Sequence, residues 1–144
     1  MKTITLILLI SLAAVVCRGE GKKKVNRLPE PIIAGLEAYS KDGCNAAVDV
    51  WLKNSVMDRV PGMRAQLAQI AQVEEFYGRY ESYELVRDSM LAPRLVLYYL
   101  AIYYERGPLW VYFDIYEKKD GSFLITEVQF NTKANLILPS DFFR

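Results

Sequence analysis

Apolar residues recur at helical spacing in three stretches of the first half of the chain. Positions i, i+3, i+4 and i+7 share one face of an α-helix, so each stretch predicts an amphipathic helix. The third runs from about Met63 to Tyr77, and Val60-Pro61-Gly62 breaks the chain before it. The stripe residues are Ile32, Ile33, Leu36 and Tyr39, then Cys44, Ala47, Val48, Trp51, Leu52 and Val56, then Met63, Leu67, Ile70, Val73 and Tyr77.

The second half is rich in Tyr, Val, Leu, Ile and Phe, which suit a pleated surface. It predicts four strands, over about residues 82–91, 94–105, 109–117 and 123–138. The breaks have local causes: Pro93 cannot donate to a strand ladder, Gly107-Pro108 favours a turn, and Asp120-Gly121 is a hairpin signal. Because the connections are short, neighbouring strands are expected to run antiparallel.

Helices followed by an antiparallel meander predict an α+β fold, in which three N-terminal helices pack on a four-stranded sheet. The alternation of side chains along strands predicts which residues face the helices. The expected inner residues are Val111, Phe113 and Ile115 in the third strand, and Leu124, Thr126, Val128 and Phe130 in the fourth. The outer face keeps Trp110, Tyr112 and Tyr116, so we expect a homodimer to form through it.

The N-terminus is typical of an export signal. Lys2 precedes an almost wholly apolar run over residues 4–16, too short to span a bilayer as a helix. We therefore predict a signal peptide over residues 1–21, cleaved after Gly19 or Gly21, a basic and proline-rich linker over 22–30, and one domain over 31–144. A buried N-terminal strand or helix is the alternative. The predicted location is the periplasm or the extracellular medium, without a transmembrane span in the mature protein.

Cys17 raises the alternative of a lipoprotein anchor, although Val16 departs from the small residue that usually precedes a lipidated cysteine. If Cys17 is lost or lipidated, Cys44 has no intramolecular partner. The domain would then be held by its core alone, with Cys44 as a buried free thiol or an interchain bridge.

Charge gives no indication of nucleic-acid binding. Cleavage after Gly19 leaves 16 basic and 17 acidic residues, a net charge of −1, whereas nucleic-acid binding favours a basic face. The one charge run, Lys22 to Lys24 with Arg27, is interpreted as a solvated tether. Weak attraction to an anionic membrane surface is the alternative.

Histidine is absent from the 144 residues. Ser-His-Asp and Cys-His nucleophilic sites and the common histidine zinc sites are therefore excluded. One mature cysteine also excludes cysteine zinc and iron–sulfur sites. The eight glycines form no phosphate-binding motif, so we predict neither a metal nor a cofactor.

Two carboxylates and five aromatic residues remain as candidates. Asp114 and Glu127 lie within apolar strands; facing a cavity, either could act as a base, but both also suit a solvent face with Lys or Arg partners. Aromatic residues predicted to line a cavity for a small apolar ligand, or else to form ordinary core, are Trp51, Tyr77, Tyr98, Phe113 and Phe130.

Three runs carry a family resemblance: GRYESYEL at 78–85, YYERGPLW at 103–110 and FDIYEKKDG at 113–121. Together they resemble small exported bacterial proteins of the nuclear-transport-factor-2-like superfamily, over residues 31–143. The resemblance implies a cystatin-like cone, a curved sheet wrapped around helices. That superfamily includes isomerase-like enzymes with an Asp base beside a Tyr, and many non-catalytic domains. We expect a non-catalytic binding or assembly domain; a lyase or isomerase acting on an apolar small molecule is the alternative.

Overall fold

The computed structural model describes residues 28–144. The predicted signal peptide over 1–21, Cys17 and most of the predicted linker lie outside the described residues. None of the helices formed by residues 28–144 combines the length and apolar character needed to cross a bilayer.

Helices occupy the first half of the described chain. They are α1 (Glu30–Asp42), α2 (Cys44–Leu52), a 3-10 helix (Val56–Arg59), α3 (Met63–Ala68) and α4 (Ile70–Tyr77). Gly43 separates α1 from α2 with a positive φ of 85°, which a residue with a side chain rarely adopts. The third predicted helix forms as two short helices that meet at Gln69.

Four strands form one antiparallel sheet in sequential order. They are β1 (Tyr80–Ala92), β2 (Leu95–Tyr104), β3 (Gly107–Glu117) and β4 (Phe123–Asn131). The predicted turns at Pro93 and Asp120-Gly121 connect β1 to β2 and β3 to β4. The turn between β2 and β3 lies instead at Glu105 and Arg106, because a proline is tolerated near the start of a strand and Gly107 and Pro108 already belong to β3. The α+β architecture predicted from the sequence is therefore confirmed, while the cone remains an expectation of the resemblance.

The core lies between the helices and one face of the sheet. Val111, Phe113 and Ile115 are at most 2% exposed, which confirms the predicted inner face of β3. The prediction for β4 was only partly right. Val128 lies opposite Phe113, but a bulge then leaves Ile125, not Thr126, opposite Ile115. An extra residue in one strand exchanges the faces beyond it, and alternation alone does not reveal where such a residue falls.

The predicted fourth strand was too long. It ends at Asn131, whose side-chain oxygen accepts a hydrogen bond from the Lys133 backbone nitrogen at 2.9 Å. The chain then forms two 3-10 helices, Ala134–Leu136 and Ser140–Phe143. We call residues 132–144 the strap, because they return across the outer face of the sheet.

Candidate interface on the outer face of the sheet

The outer face of the sheet is aromatic at its centre. Since Val111 and Phe113 point to the helices, the alternate residues Trp110 and Tyr112 point away from them. Tyr99 lies opposite Tyr112 in the register of β2 and β3, with ring centroids 5.9 Å apart. The predicted outer residues are thus brought together, and Tyr99 of β2 joins them.

Tyr116 extends the outer face toward the β1–β2 turn. The Arg94 guanidinium lies 4.8 Å from the centroid of the Tyr116 ring, and Arg94 Nε donates to the Glu117 carbonyl oxygen at 2.7 Å. A cation over a ring fixes its orientation and leaves the outer edge of this face both polar and aromatic.

The strap covers part of the outer face with two apolar side chains. Ile137 and Leu138 are each 8% exposed and form a cluster with Tyr99, against which Trp110 and Tyr112 also pack. Val86, Leu97 and Ala134 complete the cluster. This second, smaller core was not predicted, because residues 134–138 read as the continuation of a strand.

One arginine of β1 holds the far end of the strap. Arg87 Nη1 lies 2.6 Å from Asp141 Oδ2, and its guanidinium lies 5.5 Å from the centroid of the Phe142 ring. The Arg87 guanidinium lowers the pKa of the Asp141 carboxyl, chiefly through their hydrogen bond.

The two candidate carboxylates face each other on the outer side of the sheet. Asp114 lies directly opposite Glu127 in the register of β3 and β4. Asp114 Oδ1 is buried and has no hydrogen-bond partner among residues 28–144. Burial and the Glu127 charge raise the pKa of Asp114, and burial and Glu127 also raise the pKa of Tyr112. The two acids therefore lie beside a tyrosine and beside each other. Among residues 28–144, neither forms an ion pair with Lys or Arg.

This carboxylate pair lines none of the three cavities found along α1, α2 and β4. The first cavity has a volume of about 400 Å³ and is bordered by Pro31, Ala34, Trp51, Lys53 and Leu124, among others. The other two adjoin it at Glu30 and Ala34 and at Asn54 and Leu124. None of these three cavities therefore encloses Asp114 or Glu127.

The five aromatic pocket candidates do not together line any one of these three cavities. Trp51 and Phe113 meet edge to face inside the core, with ring centroids 5.1 Å apart. Tyr77, Tyr98 and Phe130 are partly buried and pack against the same core. Trp51 alone borders one of the three cavities, and its Nε1 is buried without a hydrogen-bond partner among the described residues.

The sequence did not predict a buried cluster of hydroxyl groups on Tyr39 and Tyr104. The Tyr39 hydroxyl donates to Glu74 Oε2 at 3.1 Å and lies 3.1 Å from the Tyr104 hydroxyl. Burial raises the pKa of Tyr104 to about 12. The helical stripe identified Tyr39 as a buried residue, but no pattern linked it to Tyr104. Because Glu74 and the two phenols satisfy one another, we interpret the cluster as a tie between α1, α4 and β2.

Within residues 28–144, no three His, Cys, Asp or Glu side chains are grouped so that they could hold a metal ion.

Comparisons with protein-family models, curated proteins and solved structures find no match to this chain. The resemblance to the nuclear-transport-factor-2-like superfamily therefore rests on the sequence runs described above.

Proposed function

We propose that this chain is an exported, non-catalytic binding or assembly domain that dimerises through the outer face of its sheet. The observation that carries the proposal is the incomplete cover of that face. The strap buries Tyr99, whereas Trp110, Tyr112 and Tyr116 remain partly exposed. Aromatic rings offer large contact areas at interfaces and lose little side-chain entropy there.

The strap adds apolar surface to the same region. Leu136, Phe142 and Phe143 are 59%, 42% and 53% exposed. Apolar surface gathered next to a partly covered aromatic face favours association with another chain. A second copy is the simplest partner, because a symmetric contact places each chain's aromatic face against an equal apolar surface.

The dimer is tested by light scattering after size-exclusion chromatography over a hundredfold range of protein concentration. We expect the mass to rise toward that of a dimer, and Tyr116→Ala to weaken the dimer at least tenfold. Phe76→Ala is the matched control, because Phe76 is 75% exposed on α4, away from the outer face. A monomer at every concentration would contradict the proposal.

Export is tested separately by N-terminal sequencing of the chain recovered from the periplasm or medium of an expressing bacterium. The predicted cleavage sites give an N-terminus at Glu20 or Lys22. A product that retains Met1 in the cytoplasm would contradict export without affecting the dimer.

The alternative function, a lyase or isomerase acting on a small apolar molecule, is supported by the raised pKa of Asp114 and by its neighbour Tyr112. It requires the substrate to bind against the outer face. Native mass spectrometry of gently purified protein would reveal a retained ligand. If a substrate is found, Asp114→Asn should abolish its turnover, and unchanged turnover would refute this alternative.

A further inference from the structure

Beyond its connection to β4 and the hydrogen bond from Lys133 to Asn131 there, the strap is held on the sheet by side-chain contacts. Its backbone-to-backbone hydrogen bonds, such as those from Leu138 to Ala134 and from Phe142 to Pro139, remain within the strap. Among residues 28–144, no backbone hydrogen bond joins it to β1, β2 or β3. The strap can therefore leave the outer face without breaking a strand ladder.

We call the part of the outer face on which the strap lies the seat, and a few contacts hold the strap there. Ile137 and Leu138 fill it, against Tyr99, Trp110 and Tyr112, and the Arg87–Asp141 pair holds its end. Because this ion pair is exposed, it adds little to the free energy that keeps the strap on the sheet. The connection from β4 consists of the exposed residues Thr132 and Lys133, so a small change in their backbone angles would redirect the strap.

We propose that the dimer forms by exchange of the strap, with Ile137 and Leu138 of each chain in the seat of the other chain. This inference rests on the proposed dimer. The partner is a second copy because the seat is already complementary to this segment, and exchange re-forms every contact between chains at little cost. Exchange also brings the partly covered outer faces of the two chains together, as the proposed dimer requires.

The inference is tested by mixing two full-length variants. Ile137→Asp/Leu138→Asp has an intact seat and a defective strap, whereas Trp110→Asp has an intact strap and a defective seat. Each should be monomeric alone at a concentration where the unmodified chain is dimeric. A one-to-one mixture should regain dimers, because one intact strap can enter one intact seat. Asn135→Asp, an exposed charge change on the strap, should leave the dimer within twofold of the unmodified chain.

Near-ultraviolet circular dichroism establishes that each variant is folded. If folded variants remain monomeric when mixed, exchange is overturned. A chain truncated after Lys133 that still dimerises would overturn exchange but preserve the proposed dimer, whereas an unmodified chain that never dimerises would refute both. Should the variants fail to fold, a peptide of residues 132–144 added in excess to the unmodified full chain should compete for the seat and shift the dimer to monomer, and a dimer that excess peptide leaves unchanged would overturn the inference.

Discussion

At the scale of single residues, Gly35 determines how closely the first two helices approach. It lies within α1, directly beneath the Trp51 indole, and a Cβ added there would overlap Nε1 and Cδ1 of that ring. Trp51 is 1% exposed and contacts Phe113, so it has little room to move. Glycine at this position therefore lowers the helix propensity of α1 but allows the Trp51 indole to pack directly against its backbone.

Gly35→Ala should destabilise the domain by about 1–3 kcal/mol through overpacking, although alanine is favoured over glycine in a helix by about 1 kcal/mol. Urea unfolding measures the free energy. In a Trp51→Phe background the smaller ring should reduce the loss, because the two positions are coupled. An equal loss in both backgrounds would show that the indole is not its cause.

Asp114 makes the free energy of unfolding depend on pH. Because its pKa is raised in the folded state, the folded chain binds more protons than the unfolded chain just above the ordinary value of 3.8. Its contribution to the free energy of unfolding therefore falls as pH rises through this window. Asp114→Asn should be more stable than the unmodified chain at pH 7, and this advantage should shrink toward pH 4 in urea unfolding.

Asp120→Asn is the control of opposite sign. Hydrogen bonds from Ser122 lower the pKa of Asp120 to about 2, so ionised Asp120 stabilises the fold at neutral pH. That variant should lose stability at pH 7, and the loss should diminish as the pH falls below 3.8. An Asp114→Asn variant less stable than the unmodified chain at pH 7 would refute the proposed burial penalty.

At the scale of elements, Ser55 joins the 3-10 helix to the edge of the sheet. Its hydroxyl donates to the Ile125 carbonyl oxygen at 2.5 Å and accepts from the Met57 backbone nitrogen at 3.1 Å. Ser55 is 5% exposed, so water does not readily replace these bonds. One side chain thus caps a helix and occupies a carbonyl of the edge strand β4.

Ser55→Ala should cost about 1–3 kcal/mol, because two buried backbone groups lose a partner. Ser40→Ala, at an exposed position of α1, should change the free energy of unfolding by less than about 0.5 kcal/mol. Similar effects of the two substitutions would mean that the Ser55 bonds are replaced by water.

The elements also show how far the sequence could predict the fold. The helical stripes and the four strands were found because each buries one face with a regular period. Val56 is the exception: α2 ends at Leu52, and Val56 is 62% exposed in the 3-10 helix that follows. The bulge at Thr126 and the end of β4 were missed, since both depend on register and on the Asn131 turn rather than on hydrophobicity. The site was predicted in part. Trp110, Tyr112 and Tyr116 follow from alternation, whereas Ile137 and Leu138 join them through a chain reversal that no period indicates.

At the scale of the whole molecule, the two sides of the sheet are covered by different means. Helices bury the inner face, and the strap covers part of the outer face. The strand β1 lies at an edge of the sheet, and its pairing with β2 has three register irregularities. Such irregularities discourage edge-to-edge association. Extension of the sheet at the β1 edge is therefore disfavoured.

The single described thiol reports on the integrity of the whole domain. Cys44 is 5% exposed, and burial raises the pKa of its thiol to about 11. In a Cys17→Ser background we expect Ellman's reagent at pH 8 to react with the native protein only as fast as the domain opens. Reaction should be rapid in urea, and a Ser40→Cys variant should react rapidly without it. Rapid native reaction of Cys44 would contradict the burial described here.

The core unites the first described helix with the last strand, since Ile32 and Ile125 belong to the same cluster. A ribosome releases the helices first, while the strands that cover them are still unmade. Until β4 emerges, the apolar stripes of α1 and α2 have no complete sheet to bury them. The growing chain therefore cannot complete its tertiary structure until β4 has left the ribosome, and its helices depend until then on protection from other apolar surfaces.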